Sequence, residues 1–133
     1  LLSPYGFRLL TVADLPNAIE IEETGRTFAA NAGLKASLQA KHLQQWVLGE
    51  DSGLEVDALG GEPGVDSAIF AGKHGDDEAN NRLLLERLSD VPLERRGARY
   101  VSHIALADPT GTIRIDVEDY CRGRIRLERS GSA

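Results

Sequence analysis

Apolar residues recur at spacings of four and three from Phe28 through Ala32, Ala36, Ala40 and Leu43 to Val47, the stripe of an amphipathic helix. Thr27 stands just before that stripe, where a hydroxyl can cap the first free N–H groups. Alanine, lysine, glutamine and leucine fill the stretch and favour the helix, which is predicted to end near Gln45 or Trp46. Asp76 to Leu88 reads as a second helix, with Ala79, Leu83, Leu84 and Leu88 on one face. Tyr5 to Val12 is apolar and β-leaning and is predicted to form a short strand. After the first helix, Trp46-Val47-Leu48 leads through Gly49 and an acidic pair into the turn-forming Ser52-Gly53, with Leu54-Glu55-Val56 as the outgoing extended segment. Leu59 to Gly64, with three glycines and a proline, is a loop. Tyr100–Ala107 and Thr112–Glu118 form a hairpin around Asp108-Pro109-Thr110-Gly111, whose Asp, Pro and Gly suit a type I turn. Its second strand places Ile113, Ile115 and Val117 inward and Arg114, Asp116 and Glu118 outward, and alternation continues through Arg122, Arg124 and Arg126. The order strand, helix, strand, helix, antiparallel strands predicts the α/β class: a mixed sheet with an elongated antiparallel hairpin and flanking helices.

Composition narrows the function only slightly. With 133 residues, 41% hydrophobic and 27% charged, the chain has the make-up of one globular domain. A net charge of −6 argues against nucleic acid as partner, because phosphate backbones require clustered Lys and Arg. It does not exclude a nucleotide, whose charge a divalent cation can balance. The single cysteine, Cys121, has no internal partner, so a reducing cytoplasm is the expected compartment. No apolar run approaches the ~20 residues needed to span a bilayer. Leu1-Leu2-Ser3-Pro4 lacks the pattern of a signal peptide. The sequence holds no methionine and opens on Leu1, so it is expected to start inside a longer gene.

Two acidic pairs, Glu22-Glu23 and Glu50-Asp51, border turns on either side of the first helix. Mg²⁺ is held by one or two carboxylates together with substrate phosphates, and the helix can return the chain so that both pairs meet at one end of the sheet. Adjacent strand residues point to opposite faces, so only one of Glu50 and Asp51 faces a common site. On pattern alone, solvated charges at element ends are the ordinary reading. Asn31 and Lys35, four apart on the helix, share a face beside the apolar stripe and present an amide and an ammonium; a solvated face is again the plain alternative. Gly60-Gly61-Glu62-Pro63-Gly64 has no following Gly-Lys-Ser/Thr and reads as a tight turn, not a phosphate loop. His42, His74 and His103 have no metal-ligand spacing, and neither they nor Cys121 receive a role.

Two segments carry more than these generic signals. Glu22-Glu23-Thr24-Gly25-Arg26-Thr27-Phe28-Ala29-Ala30-Asn31-Ala32-Gly33-Leu34-Lys35-Ala36 resembles one signature of the inosine and xanthosine triphosphate pyrophosphatase family. Glu50-Asp51-Ser52-Gly53-Leu54-Glu55-Val56-Asp57-Ala58-Leu59-Gly60-Gly61-Glu62-Pro63-Gly64-Val65 resembles the second, at the appropriate distance. Asn81, Leu83-Leu84 and Leu88 fit the family's next helix, and Arg96-Gly97-Ala98-Arg99-Tyr100 the start of its long strand.

The resemblance implies an inosine triphosphatase-like fold over 1–133, incomplete at both termini, in a homodimeric cytoplasmic enzyme. It implies Mg²⁺-dependent hydrolysis of ITP, dITP or XTP to the monophosphate and pyrophosphate. By position, Asp51 falls on the general base and a magnesium ligand, Glu22 on the other ligand, Ser52 on a substrate contact and Lys35 on a triphosphate-binding lysine. Two positions depart from the pattern: Glu50 replaces an aspartate, and Ile69 stands where an arginine is expected after Ser67-Ala68. The family's opening phosphate loop and its closing base-gripping elements lie outside the sequence, so base preference is not legible. The rival readings are a Maf-like nucleotide pyrophosphatase and an inactive dimerisation fragment.

Overall fold

A computed structural model describes residues 2–131. Two helices, α1 (Phe28–Leu43) and α2 (Asp77–Arg87), flank a sheet of three strands, β1 (Val47–Val56), β2 (Gly97–Ala107) and β3 (Ile113–Arg124), in the order β1-β2-β3. Both ladders are antiparallel, so among the described residues the sheet is not mixed, while the long hairpin and the flanking helices match the expectation. No described helix is long and apolar enough to cross a membrane.

Local chemistry accounts for the element ends. The Thr27 hydroxyl accepts the Ala30 N–H at 3.0 Å and starts α1, and the Asp76 carboxylate does the same for α2 from Ala79 at 3.1 Å. Helix α1 stops at Leu43, earlier than predicted, because Gln44 adopts a left-handed conformation (φ 55°) and its N–H caps the Ala40 carbonyl. The predicted turn Asp108–Gly111 closes through a bond from the Gly111 N–H to the Asp108 carbonyl at 2.8 Å.

Three further sequence expectations fail. Tyr5–Val12 is not a strand: a 3₁₀ turn at Ser3–Tyr5 and another at Val12–Asp14 bracket irregular chain with no sheet partner, and Tyr5, Phe7, Leu9 and Val12 are exposed. Ser52-Gly53 does not turn. The ladder pairs Asp51 with His103, Ser52 with Ser102 and Gly53 with Val101, so β1 runs unbroken from Val47 to Val56. Ile115 and Val117 do not point inward to a core. Both are 59% exposed, and every residue of β3 is exposed.

The sheet carries one core on each face. On the first, Ala32, Ala36 and Ala40 of α1 pack on Ala105 and Ala107, with Val47 beside them. Small side chains bring helix and strand so close that a Cβ built on Gly49 would lie 2.5 Å from the Ala32 carbonyl and 2.7 Å from the Ala36 nitrogen. On the second, Val56 and Ala98 meet Leu84 of α2 and Leu88, which caps that helix, with Leu54, Leu59, Phe70, Val91 and Ile125 at the margin. The first core sets α1 against the middle of β1, which places the site.

Candidate active site

Strand alternation divides the acidic pair of β1. Asp51 points toward α1 and is 6% exposed, whereas Glu50 points to the other face, exposed, and accepts a hydrogen bond from the Ser102 hydroxyl at 3.1 Å. Lys35 rises from α1 to the edge of β1. Its ammonium donates to the Glu50 carbonyl at 2.9 Å and lies 3.6 Å from Asp51 Oδ1 and 2.5 Å from Glu23 Oε1. One cation therefore joins both acidic segments, the meeting that the sequence motifs anticipate.

Glu23, not Glu22, supplies the first segment's carboxylate to that cluster. Glu22 is exposed and its side chain has no partner among the described residues. Asn31 sits at the same junction, buried; its side-chain oxygen accepts the Gly25 N–H at 2.7 Å and its amide donates to the Gly25 carbonyl at 3.3 Å. The Ser52 hydroxyl stands on the face opposite Asp51, 3.0 Å from the Tyr100 hydroxyl. Its main-chain N–H borders the Asp51 carboxylate instead.

The electrostatics of Asp51 are unusual. Burial pushes its carboxyl above the ordinary value, and this outweighs the opposing influence of Lys35, the Asn31 amide and the Ser52 N–H; Glu23 adds to the rise. Asp51 Oδ2 is buried with no hydrogen-bond partner, a rare condition for an acceptor of this strength. That oxygen is a hard donor, and a second carboxylate, Glu23, shares the Lys35 ammonium with Asp51, a donor set that suits a divalent cation. No three His, Cys, Asp or Glu side chains among the described residues converge as a ready-made metal cage. The donors fit an ion of the kind that takes most of its ligands from phosphate and water.

Sequence reading missed two further polar groups. Gln39, 4% exposed, grips Ile19 at both main-chain atoms, accepting its N–H at 2.9 Å and donating to its carbonyl at 2.8 Å. Its position eight residues after Asn31, on one helix stripe with Lys35, was the available signal. His103, paired across the ladder with Asp51, is buried with its ring nitrogens each 3.2 Å from a carboxylate, Glu118 and Asp116. Beside the site runs a groove of about 280 Å³ along the edge of β1, lined by Ile19, Ile21, Lys35, Gln39, Leu48 and Glu50 among others. The larger hollow, about 530 Å³ at Asp57, Asp90 and Glu94, contains none of these residues.

Comparison with known proteins agrees with this arrangement. The Ham1 family model matches residues 1–133. A protein of Rhodopirellula baltica named dITP/XTP pyrophosphatase is 58% identical over 125 residues, covering 94% of this chain and 60% of its own length. An Exiguobacterium sibiricum protein of the same name is 46% identical, with 99% and 66% covered. Among solved structures, the Mycobacterium abscessus nucleoside-triphosphatase, also named dITP/XTP pyrophosphatase, superposes with a TM-score of 0.83 at 44% identity, over 98% of this chain and 68% of that one. The Staphylococcus aureus Ham1 protein gives 0.86 at 36% identity, over 97% and 66%. The chain thus spans roughly three-fifths to two-thirds of the length of the curated relatives it matches. With a family match over its whole length, a common fold and both acidic segments joined at Lys35, the chain belongs to the Ham1 family.

Proposed function

We propose that the protein hydrolyses non-standard purine nucleoside triphosphates, dITP, ITP and XTP, to the monophosphate and pyrophosphate. The observation that carries this reading is the buried Asp51 carboxylate, with one oxygen unpartnered and the other facing Lys35, in a chain whose relatives are named for that reaction. Those names favour it over the Maf-like alternative.

A water oxygen forms a bond to the α-phosphorus while the bond from that phosphorus to the bridging oxygen breaks. The water's proton passes to Asp51 and the electron pair leaves with pyrophosphate. Desolvation suits Asp51 to this role, because a carboxylate held above its usual range is the stronger base. Lys35 exchanges its present carboxylate partners for phosphate oxygens and keeps the chain anchored through the Glu50 carbonyl. Asp51 Oδ2 with Glu23 or Glu22 would hold Mg²⁺, which, when bound, supplies positive charge to the phosphate oxygens. Ser52 is a substrate contact on the strength of its motif alone, since its hydroxyl is engaged by Tyr100 on the other face. A homodimer in the cytoplasm, and one inosine triphosphatase-like domain continuing beyond 1–133, complete the proposal.

The test is pyrophosphate release by the full-length protein from dITP, XTP and dATP at equal concentrations with Mg²⁺. Release from dITP and XTP far faster than from dATP is expected. Equal rates on all three would refute the proposed selectivity, and no release from any would refute the activity.

A further inference from the structure

Three residues one helical turn apart, Asn31, Lys35 and Gln39, form a single stripe on α1. The middle one binds Glu23 and Asp51. The outer two each hold one residue of the preceding segment by both its N–H and its carbonyl, Asn31 at Gly25 and Gln39 at Ile19. His42 adds a contact to the Asn17 carbonyl at 2.8 Å, one turn farther on. Segment 19–25 therefore lies antiparallel along the helix, fastened at two points about 12 Å apart at helical rise, and Glu22 and Glu23 fall between the fastenings. The segment is otherwise irregular and largely exposed, with no sheet partner to fix its register.

We infer that Gln39 and Asn31 are positioning residues that set where the Glu22-Glu23 carboxylates stand relative to Asp51, and so tune the site's hold on its divalent cation. The inference rests on the functional reading above. Two observations mark the clamp as more than packing. Both amides are buried and use donor and acceptor on one residue's backbone, an arrangement sensitive to register. Space around Gly25 is also matched to the clamp: a Cβ there would lie 2.5 Å from Asn31 Oδ1 and 2.7 Å from the Ala30 Cβ, so no larger residue fits while Asn31 keeps its bonds. Outer-shell groups that orient ligands commonly change metal affinity by about 10- to 100-fold when removed.

The test uses Mn²⁺ alone as probe, with its affinity followed by electron paramagnetic resonance, and amide hydrogen exchange over residues 17–25 in the same samples. Gln39→Leu removes one fastening, and Gly25→Ala strains the other from the segment's side, pressing on Asn31 Oδ1 and the Ala30 Cβ while leaving the sequence of α1 unchanged. Each variant is expected to speed exchange at Ile19 or Gly25 and to weaken Mn²⁺ binding about tenfold, while amides of β1 and β2 stay as protected as in the unsubstituted protein. Faster exchange with unchanged Mn²⁺ affinity would make the clamp purely structural and overturn the inference. Unchanged exchange at both residues would do the same. A general loss of protection in one variant transfers the decision to the other, since the two act from opposite partners. If the unsubstituted protein binds no Mn²⁺, the metal-dependent reading itself falls, a result distinct from normal binding that the variants leave intact.

Discussion

The two cores of the sheet differ in what they do with buried charge. Beside α2, apolar side chains fill the space, and the one buried charge, Arg96, finds a hydrogen-bond acceptor at each of its three nitrogens. Its guanidinium donates to the carbonyls of Leu88 at 2.6 Å, Val91 at 2.8 Å and Arg126 at 3.0 Å, tying the end of α2 to the tail beyond β3. Beside α1, alanines and Gly49 give up packing volume so that helix and strand approach closely, and the buried Asp51 keeps an oxygen with nothing to bind. A satisfied buried charge is a fastening. An unsatisfied one, bordered by a lysine that also holds a second carboxylate, is the place where the function proposed for this chain would seat a cation. Closeness on the α1 side serves that end, because it is the short distance across Gly49 that lets Lys35 reach the edge of β1.

The contrast predicts that changes near α1 alter chemistry and changes near α2 alter stability. The largest effect is expected from Asp51→Asn in the full-length protein. The amide is nearly isosteric but is neither base nor anionic ligand, so pyrophosphate release should fall by about 10²–10⁴-fold; an unaffected rate would remove Asp51 from the mechanism. Next, Leu84→Ala should lower unfolding free energy by about 2–5 kcal/mol, measured by denaturant titration, with kcat intact. A large loss of kcat in that variant at temperatures where it is folded would erase the distinction between the cores. Gly49→Ala, which forces α1 away from β1 at backbone atoms, should cost about 1–3 kcal/mol and reduce the rate as well, since Lys35 moves with the helix.

The smallest effect is a pH dependence with opposite signs in the two readouts. Asp51 holds its proton more tightly folded than unfolded, so the native state binds more protons between 3.8 and the raised value. Stability should therefore decline as pH rises through that window, while the rate climbs as the base is freed. In Asp51→Asn the stability decline in that window should be lost. A stability curve that Asp51→Asn leaves unchanged would contradict the assignment.

The helices and the site's main residues were legible for concrete reasons. The stripe from Phe28 to Ala40, the Thr27 cap and the hairpin turn are local signals, and local geometry decided them. Lys35 and Asp51 came together as their motifs implied. The errors were non-local. Ser52-Gly53 looks like a turn, but ten consecutive pairings with β2 keep β1 straight, and Gly53 is small because Gly64, Ser67 and Phe28 crowd it. Ile115 and Val117 alternate as a buried face would, yet alternation marks an apolar face without showing what covers it. That Glu23, and not Glu22, pairs with Lys35 was not legible, because it depends on the register of an irregular segment whose backbone Gln39 and Asn31 bond from a distance in sequence.

Asp51 is a desolvated carboxylate with one oxygen short of partners, which suits it to a cation. Titrating its side-chain carboxyl carbon by NMR, with and without Mg²⁺, tests this without reference to turnover. A midpoint above 3.8 is expected in the absence of the ion, with a fall on its addition. A midpoint at or below 3.8 that Mg²⁺ does not move would contradict it.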